Sequence, residues 1–246
     1  MKRMQTIELT PQGDCAIVIK LGDQVDLETH RKVSILSRYL DEHPFEGMLE
    51  VIPAYYSVTV VYDPLQVFLS ERKKSSTAQY LSPYEVVHHQ VEAIVENLDD
   101  AAIPNPRHVE IPVCYGGEFG EDLTYVAEMN GLTPDEVIAI HTSGSYLVYM
   151  LGFAPGFPYL GGMDPRIAAP RKDTPRLRIP RGSVGIAGEQ TGVYPLETPG
   201  GWQLIGRTPI SLFEPDNQPP ALLSSGDRIS FYPISRREFD HWGNIT

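Results

Sequence analysis

Between residues 151 and 210, glycine and proline fill a third of all positions. That density forbids a long helix, since an interior glycine costs about 1 kcal/mol relative to alanine and an interior proline about 3 kcal/mol. Yet short apolar pieces run through this region and its flanks: HVEIPVCY, YLVYML, LRIP, SVGIAG, GWQLIG and DRISFYPI. Many short strands divided by glycine and proline turns specify a barrel or a sandwich. Two short helices are expected between the first two of these strands. One covers 120–129 and ends before Asn130-Gly131; the other covers 134–141 and opens on the capping box Thr133-Pro134-Asp135-Glu136.

The first hundred residues are patterned differently. TIELT and CAIVIKL read as strands joined by the turn PQGD, and Val33, Leu36 and Leu40 recur at helical spacing within 27–42. MLEVIPAYYSVTVVYD reads as two strands broken at Pro53. A helix follows Ser82-Pro83-Tyr84-Glu85, a capping box with proline where its missing N–H costs nothing. Val87, Val91, Ile94, Val95 and Leu98 share one face of it. The segment 71–79, ERKKSSTAQ, lacks periodicity and is expected to be a loop. DDAAIPNPR then sets two prolines beside an asparagine. A chain of 246 residues exceeds the roughly 100–150 of a usual domain. We therefore expect an α+β domain over 1–100, a linker over 101–106 and a mainly-β domain over 107–246.

Apolar residues make up 41% of the chain and charged residues 21%, which argues against disorder. The net charge of −12 argues against a general nucleic-acid binder, which would carry a basic patch. No apolar run approaches the roughly 18 residues of a membrane helix, and MKRMQTIELT lacks the apolar segment of a signal peptide. A cytoplasmic protein without a membrane partner is expected. Cys15 and Cys114 sit in apolar runs and read as reduced core thiols. No metal ligand set is visible.

Familiar catalytic motifs are missing: no GxxxxGK[ST], HExxH, GxSxG or CxxC occurs. Three features remain. His141 falls at the end of the second short helix, where the dipole favours a capping histidine; the alternative is acid/base work or a polar substrate contact. Arg166, Arg171, Lys172, Arg176, Arg178 and Arg181 crowd into sixteen positions. They form either a solvated barrel surface or an anion site, for which arginine's fork is suited. In 185–209, glycines bring the backbone close to any ligand while Gln190, Thr191 and Tyr194 add hydrogen-bonding groups and Trp202 a stacking face. Turn chemistry explains most of these glycines without a ligand.

GFAPGFPYLGG, residues 152–162, and PRGSVGIAGEQTGVYPLETPGGWQLIGRTP closely resemble the signature of the PxpB/KipI family, also called allophanate hydrolase subunit 1-like. The match extends to IPVCYGGEFGEDL and SSGDRISFYPI, and more loosely to GDCAIVIKLG and FEGMLEVIPAYYSVTVVYD in the first domain. One departure is Glu121, where the family pattern has proline; both suit the first turn of a helix. The resemblance implies an N-terminal α+β domain and a C-terminal cyclophilin-like β-barrel. It implies a PxpB-type subunit that pairs with a PxpC/KipA-type subunit and, with a PxpA-type subunit, opens 5-oxo-L-proline to L-glutamate with ATP as co-substrate. It implies two other readings: an inhibitor of sensor histidine kinase autophosphorylation, and an allophanate hydrolase-type subunit. Since no phosphate loop is visible, ATP would use an unconventional site or one completed by a partner chain. On this resemblance a composite interface site is expected. His141 would act as acid/base or polar contact, Arg171 and Arg181 would hold a carboxylate or phosphate, and Gln190, Thr191 and Tyr194 would orient the amide. Phe153, Phe157, Tyr159 and Trp202 would form an apolar wall or docking surface.

Overall fold

In the computed structural model, residues 7–24, 26–74, 81–97 and 106–243 are described. Contacts divide the chain into two compact units, Met1–Asn105 and Pro106–Thr246. The expected linker, apart from Pro106, lies outside the described residues, as does Leu98.

The first unit runs β1 (Glu8–Pro11), β2 (Ala16–Lys20), α1 (Leu27–Glu42), β3 (Met48–Pro53), β4 (Ser57–Tyr62), α2 (Pro64–Lys74) and α3 (Pro83–Glu96). Its strands form one antiparallel sheet in the order β1-β2-β4-β3. Val33, Leu36 and Leu40 of α1 and Val87 and Val91 of α3 are buried against Ile17, Ile19, Val58 and Val60 of the sheet. The Ser82 box closes as expected: the Ser82 hydroxyl accepts from the Glu85 N–H at 3.2 Å, and the Glu85 carboxylate accepts from the Ser82 N–H at 2.7 Å.

Two expectations for this unit are corrected. Of the expected loop 71–79, the stretch 71–74 is the last turn of α2, and 75–79 lie outside the described residues. The helix is started by Asp63, whose carboxylate accepts from the Leu65 and Gln66 N–H groups just ahead of Pro64. And Cys15 is exposed, so of the two free thiols only Cys114 is a core residue.

The second unit comprises β5 (His108–Tyr115), α4 (Leu123–Met129), α5 (Pro134–Ser143), β6 (Tyr146–Leu151), β7 (Pro158–Gly161), β8 (Arg176–Ile179), β9 (Ser183–Ala187), β10 (Gln190–Val193), β11 (Thr198–Gly200), β12 (Gln203–Arg207), β13 (Arg228–Pro233) and α6 (Arg236–Asp240). Seven strands close into a barrel, β10-β7-β6-β13-β5-β12-β9, and β8 pairs with β11 beside it. Every barrel pairing is antiparallel except β13 with β5. Ile111, Val113, Val148, Leu160, Val184, Ile186, Ile205 and Ile229 belong to its core.

α4 begins at Leu123, later than the expected 120, because Gly120 is pressed onto β12: a Cβ there would collide with the Ile205 carbonyl. Glu121 therefore precedes the helix, and its carboxylate faces Arg176 at 3.5 Å. At the other end Gly131 adopts φ 65°, and the bonds Gly131 N–H to Glu128 O and Leu132 N–H to Ala127 O complete a Schellman cap. The stretch 152–162 divides into a tight loop and the barrel strand β7.

Candidate functional site in the barrel domain

α5 starts on the closed Thr133–Glu136 box and delivers His141 in its last turn. The ring does not cap the helix from solvent. It is 0% exposed and spans the barrel interior between strands on opposite walls. Nδ1 lies 2.7 Å from the Tyr115 hydroxyl of β5, and Nε2 lies 2.9 Å from the Thr191 hydroxyl of β10. The Thr191 hydroxyl is also 3.1 Å from the Gly185 carbonyl. A carbonyl only accepts, so Thr191 donates its one proton there and must accept from His141. This network assigns the proton to Nε2 and makes Tyr115 the donor to Nδ1. The Tyr146 hydroxyl donates to the His141 carbonyl at 2.6 Å, and the Phe231 ring stacks on the imidazole at 4.5 Å. Burial pushes the His141 pKa down to about 3, and burial raises those of Tyr115 and Tyr146. His141 is a neutral, fully satisfied interior group. An acid/base role requires a substrate proton within hydrogen-bond reach; here both ring nitrogens are engaged by Tyr115 and Thr191, and through Thr191 the ring holds β10.

β10 leads from Thr191 into a second cluster. The Phe157 ring meets Tyr159 at 5.3 Å, Tyr194 at 5.4 Å and Trp202 at 5.6 Å, all edge-to-face. Gly192 and Gly200 make room: a Cβ on Gly192 would stand 3.1 Å from both Phe157 and Trp202, and one on Gly200 would collide with the Tyr194 hydroxyl. Gly192 and Gly200 thus serve ring packing. Phe157, Tyr194 and Trp202 are buried, and Tyr159 is half-buried. Burial raises the Tyr194 pKa to about 12, opposed by a hydrogen bond from the Trp202 backbone and by the charges of Arg171 and Arg176. The expected wall is therefore largely core. Its exposed member is Phe153, at 67% exposure and φ 65°, with its ring edge-on to Phe157 at 5.5 Å.

The arginine cluster resolves into separate pairs. Arg176 meets the buried Asp122 carboxylate with bonds of 2.9 and 2.7 Å, Lys172 joins it at 3.1 Å, and the Leu204 N–H donates to it at 2.7 Å. Arg178 pairs with Glu197, Arg166 with Asp164, and Arg181 with Glu214 and the Ser211 hydroxyl. Arg181, expected to hold a carboxylate or phosphate, already has Glu214 as a carboxylate partner. Arg171 is exposed and has no such partner among the described residues. Gln190 is half-buried at the start of β10. Arg171 bears on Tyr194 only through its charge, whereas Arg181 lines a different cleft. Arg207, which lines the same cleft, escapes sequence reasoning. The signal for it is present in GWQLIGRTP, a cation at the end of a buried strand.

The chain is of the carboxyltransferase-domain class: residues 7–223, covering the first unit and most of the second, match the family described as carboxyltransferase domain, subdomain C and D. Within that class, the chain belongs to the PxpB/KipI family. It is 52% identical to the B-type subunit of 5-oxoprolinase from Bacillus subtilis (strain 168), over 92% of each chain. It is 42% identical to the B-type subunit of 5-oxoprolinase from Escherichia coli O157:H7, over 90% of this chain and 93% of that one. The crystal structure of TTHA0988 superposes with a TM-score of 0.75 at 34% identity, covering 89% of this chain; the chain spans 40% of that longer protein.

Proposed function

We propose that this chain is the PxpB-type subunit of an ATP-dependent 5-oxoprolinase, a hydrolase that opens 5-oxo-L-proline to L-glutamate. The observation that carries this reading is the 52% identity to a B-type 5-oxoprolinase subunit across nearly the full length of both chains. The occurrence of the same fold within a chain of more than twice the length supports a protein that works joined to further domains or subunits. The partners are a PxpC/KipA-type and a PxpA-type subunit, and the barrel is the cyclophilin-like domain of the complex.

A lactam amide is a poor electrophile. Phosphoryl transfer from ATP to its oxygen would create a leaving group, which gives ATP a chemical purpose as co-substrate. In this reading Arg171 holds the substrate carboxylate, Gln190 contacts the amide, and partner residues complete the site. His141 and Thr191 keep β10 in place from below. The test is glutamate formation from 5-oxoproline and ATP by the reconstituted subunits. Leaving out this chain should abolish it; full turnover by the partners alone would overturn the assignment.

A further inference from the structure

A cleft of about 560 Å³ opens where the end of β12 meets the Gly117–Phe119 turn and α6. Its size falls within the roughly 300–1,000 Å³ of small-molecule sites. Three arginines line it, Arg181, Arg207 and Arg236, with the carboxylates of Glu118 and Asp240. Including Glu214, which pairs with Arg181 from outside the lining, three positive charges face three negative ones. Net charge therefore does not select a ligand here; the arrangement does. Arg236 is held by Asp240 at 2.8 Å and by Glu118. Arg181 is held by Glu214 and Ser211.

Arg207 has no carboxylate partner among the described residues. Its Nε donates to the Arg181 carbonyl at 2.8 Å, and its guanidinium lies over the Phe119 ring at 5.6 Å. Phe119 is itself fixed by Phe239, at 4.4 Å, and by Arg236 at 4.5 Å. The fork of Arg207 is thus anchored at its base and along its face while its two terminal nitrogens stay uncommitted. A guanidinium so held loses little freedom on binding, and its planar edge fits two oxygens of one carboxylate or phosphate. Beside it, Pro209 and Ile210 add apolar surface, and Trp242 presents a ring that is 39% exposed.

We propose that this cleft binds a small ring-bearing anion, with Arg207 gripping its carboxylate or phosphate and Trp242 receiving its ring. The isolated full chain suffices to measure this, so the outcome is separate from the oxoprolinase reading. Isothermal titration with adenosine monophosphate and with 5-oxoproline distinguishes a phosphate from a carboxylate head group; adenosine and inorganic phosphate are the controls lacking charge or ring. At least one of the first two should bind in the millimolar range or tighter, and at least about tenfold more tightly than either control. Arg207→Gln should weaken that binding at least about tenfold, Trp242→Ala severalfold, and Arg178→Gln, at an exposed arginine outside the cleft, not at all. No binding of either probe, equal binding of a control, or wild-type affinity in a folded Arg207→Gln chain would overturn the proposal. If Arg207→Gln does not fold, wild-type affinity in Trp242→Ala would do so.

Discussion

Protonating His141 would break the chain of donors that runs from Tyr115 through the imidazole and Thr191 to the Gly185 carbonyl, and would place a charge inside an apolar barrel. Burial lowers its pKa from an ordinary 6.5 to about 3. Linkage then fixes the pH dependence. Below about 6.5 the unfolded chain takes up a proton at this position and the folded chain does not, so the unfolded state binds more protons and stability falls with falling pH. The full contribution is present above 6.5, and the loss ends near pH 3, with a slope of up to about 1.4 kcal/mol per pH unit from this group. His30 in the first unit, lowered to about 4 by burial, adds a second group with the same sign over a narrower window. Thermal melts from pH 7 to pH 4 should therefore show steep acid destabilisation. His141→Phe should flatten the slope of the barrel unit while lowering its stability at pH 7, because the Tyr115 and Thr191 hydroxyls lose a partner at about 1–3 kcal/mol each. An unchanged acid slope in the variant would show that His141 does not carry the effect.

At the scale of elements, Asp122 is the clamp of the second unit. It ties the start of α4 to β12 through the Leu204 N–H, and to β8 and its leading segment through Arg176 and Lys172. Arg176 is 17% exposed in its side chain, so Asp122→Ala leaves an almost buried charge with only the exposed Glu121 carboxylate at 3.5 Å and should cost about 3 kcal/mol. Two positions along the same strand, Arg178 and Glu197 are 77% and 50% exposed, and Arg178→Ala should change stability by less than about 1 kcal/mol. Chemical denaturation of the two variants decides the matter; equal losses would mean that burial does not separate these pairs. This contrast also marks how far the sequence was legible. Helices with local signals could be read: both capping boxes, the Asn130-Gly131 stop and the valine face of α3 were visible because their partners lie within a few positions. α2 was missed although Asp63-Pro64 announced it, because its charged end 71–74 shows no apolar period. Most of the arginines could not be read. Arg166 meets Asp164 two positions away, but Arg178, Arg181 and Arg176 find their carboxylates 19, 33 and 54 positions away, where only the tertiary fold brings them together. For the same reason the sequence leaves His141 open between a helix cap and an acid/base or polar contact, because β5 and β10, which enclose it, are distant in the chain.

At the scale of the whole molecule, most of the aromatic signature is consumed by the core, and Phe153 is the exception. A non-glycine residue in the left-handed region carries roughly 1–2 kcal/mol of strain, and an exposed phenylalanine recovers little of it by burial. Glycine would sit there without strain, so stability alone does not account for Phe153 at φ 65°. A ring held outward at such a cost fits a surface that another chain covers, as the proposed subunit role requires. Phe153→Gly should therefore act in opposite directions on the two properties. The variant alone should melt at or slightly above the wild-type temperature, by roughly 0.5–1 kcal/mol if the gain of strain relief exceeds the added freedom of the unfolded chain. In the reconstituted enzyme the concentration of this subunit needed for half-maximal glutamate formation should rise about tenfold, the equivalent of one buried ring contact of about 1.4 kcal/mol. The saturated rate should stay at the wild-type value, because the residue is asked to dock a partner and not to touch the lactam. A lower plateau at unchanged half-saturation would place Phe153 in the substrate site instead, and no change in either would leave the strained ring without a role in assembly.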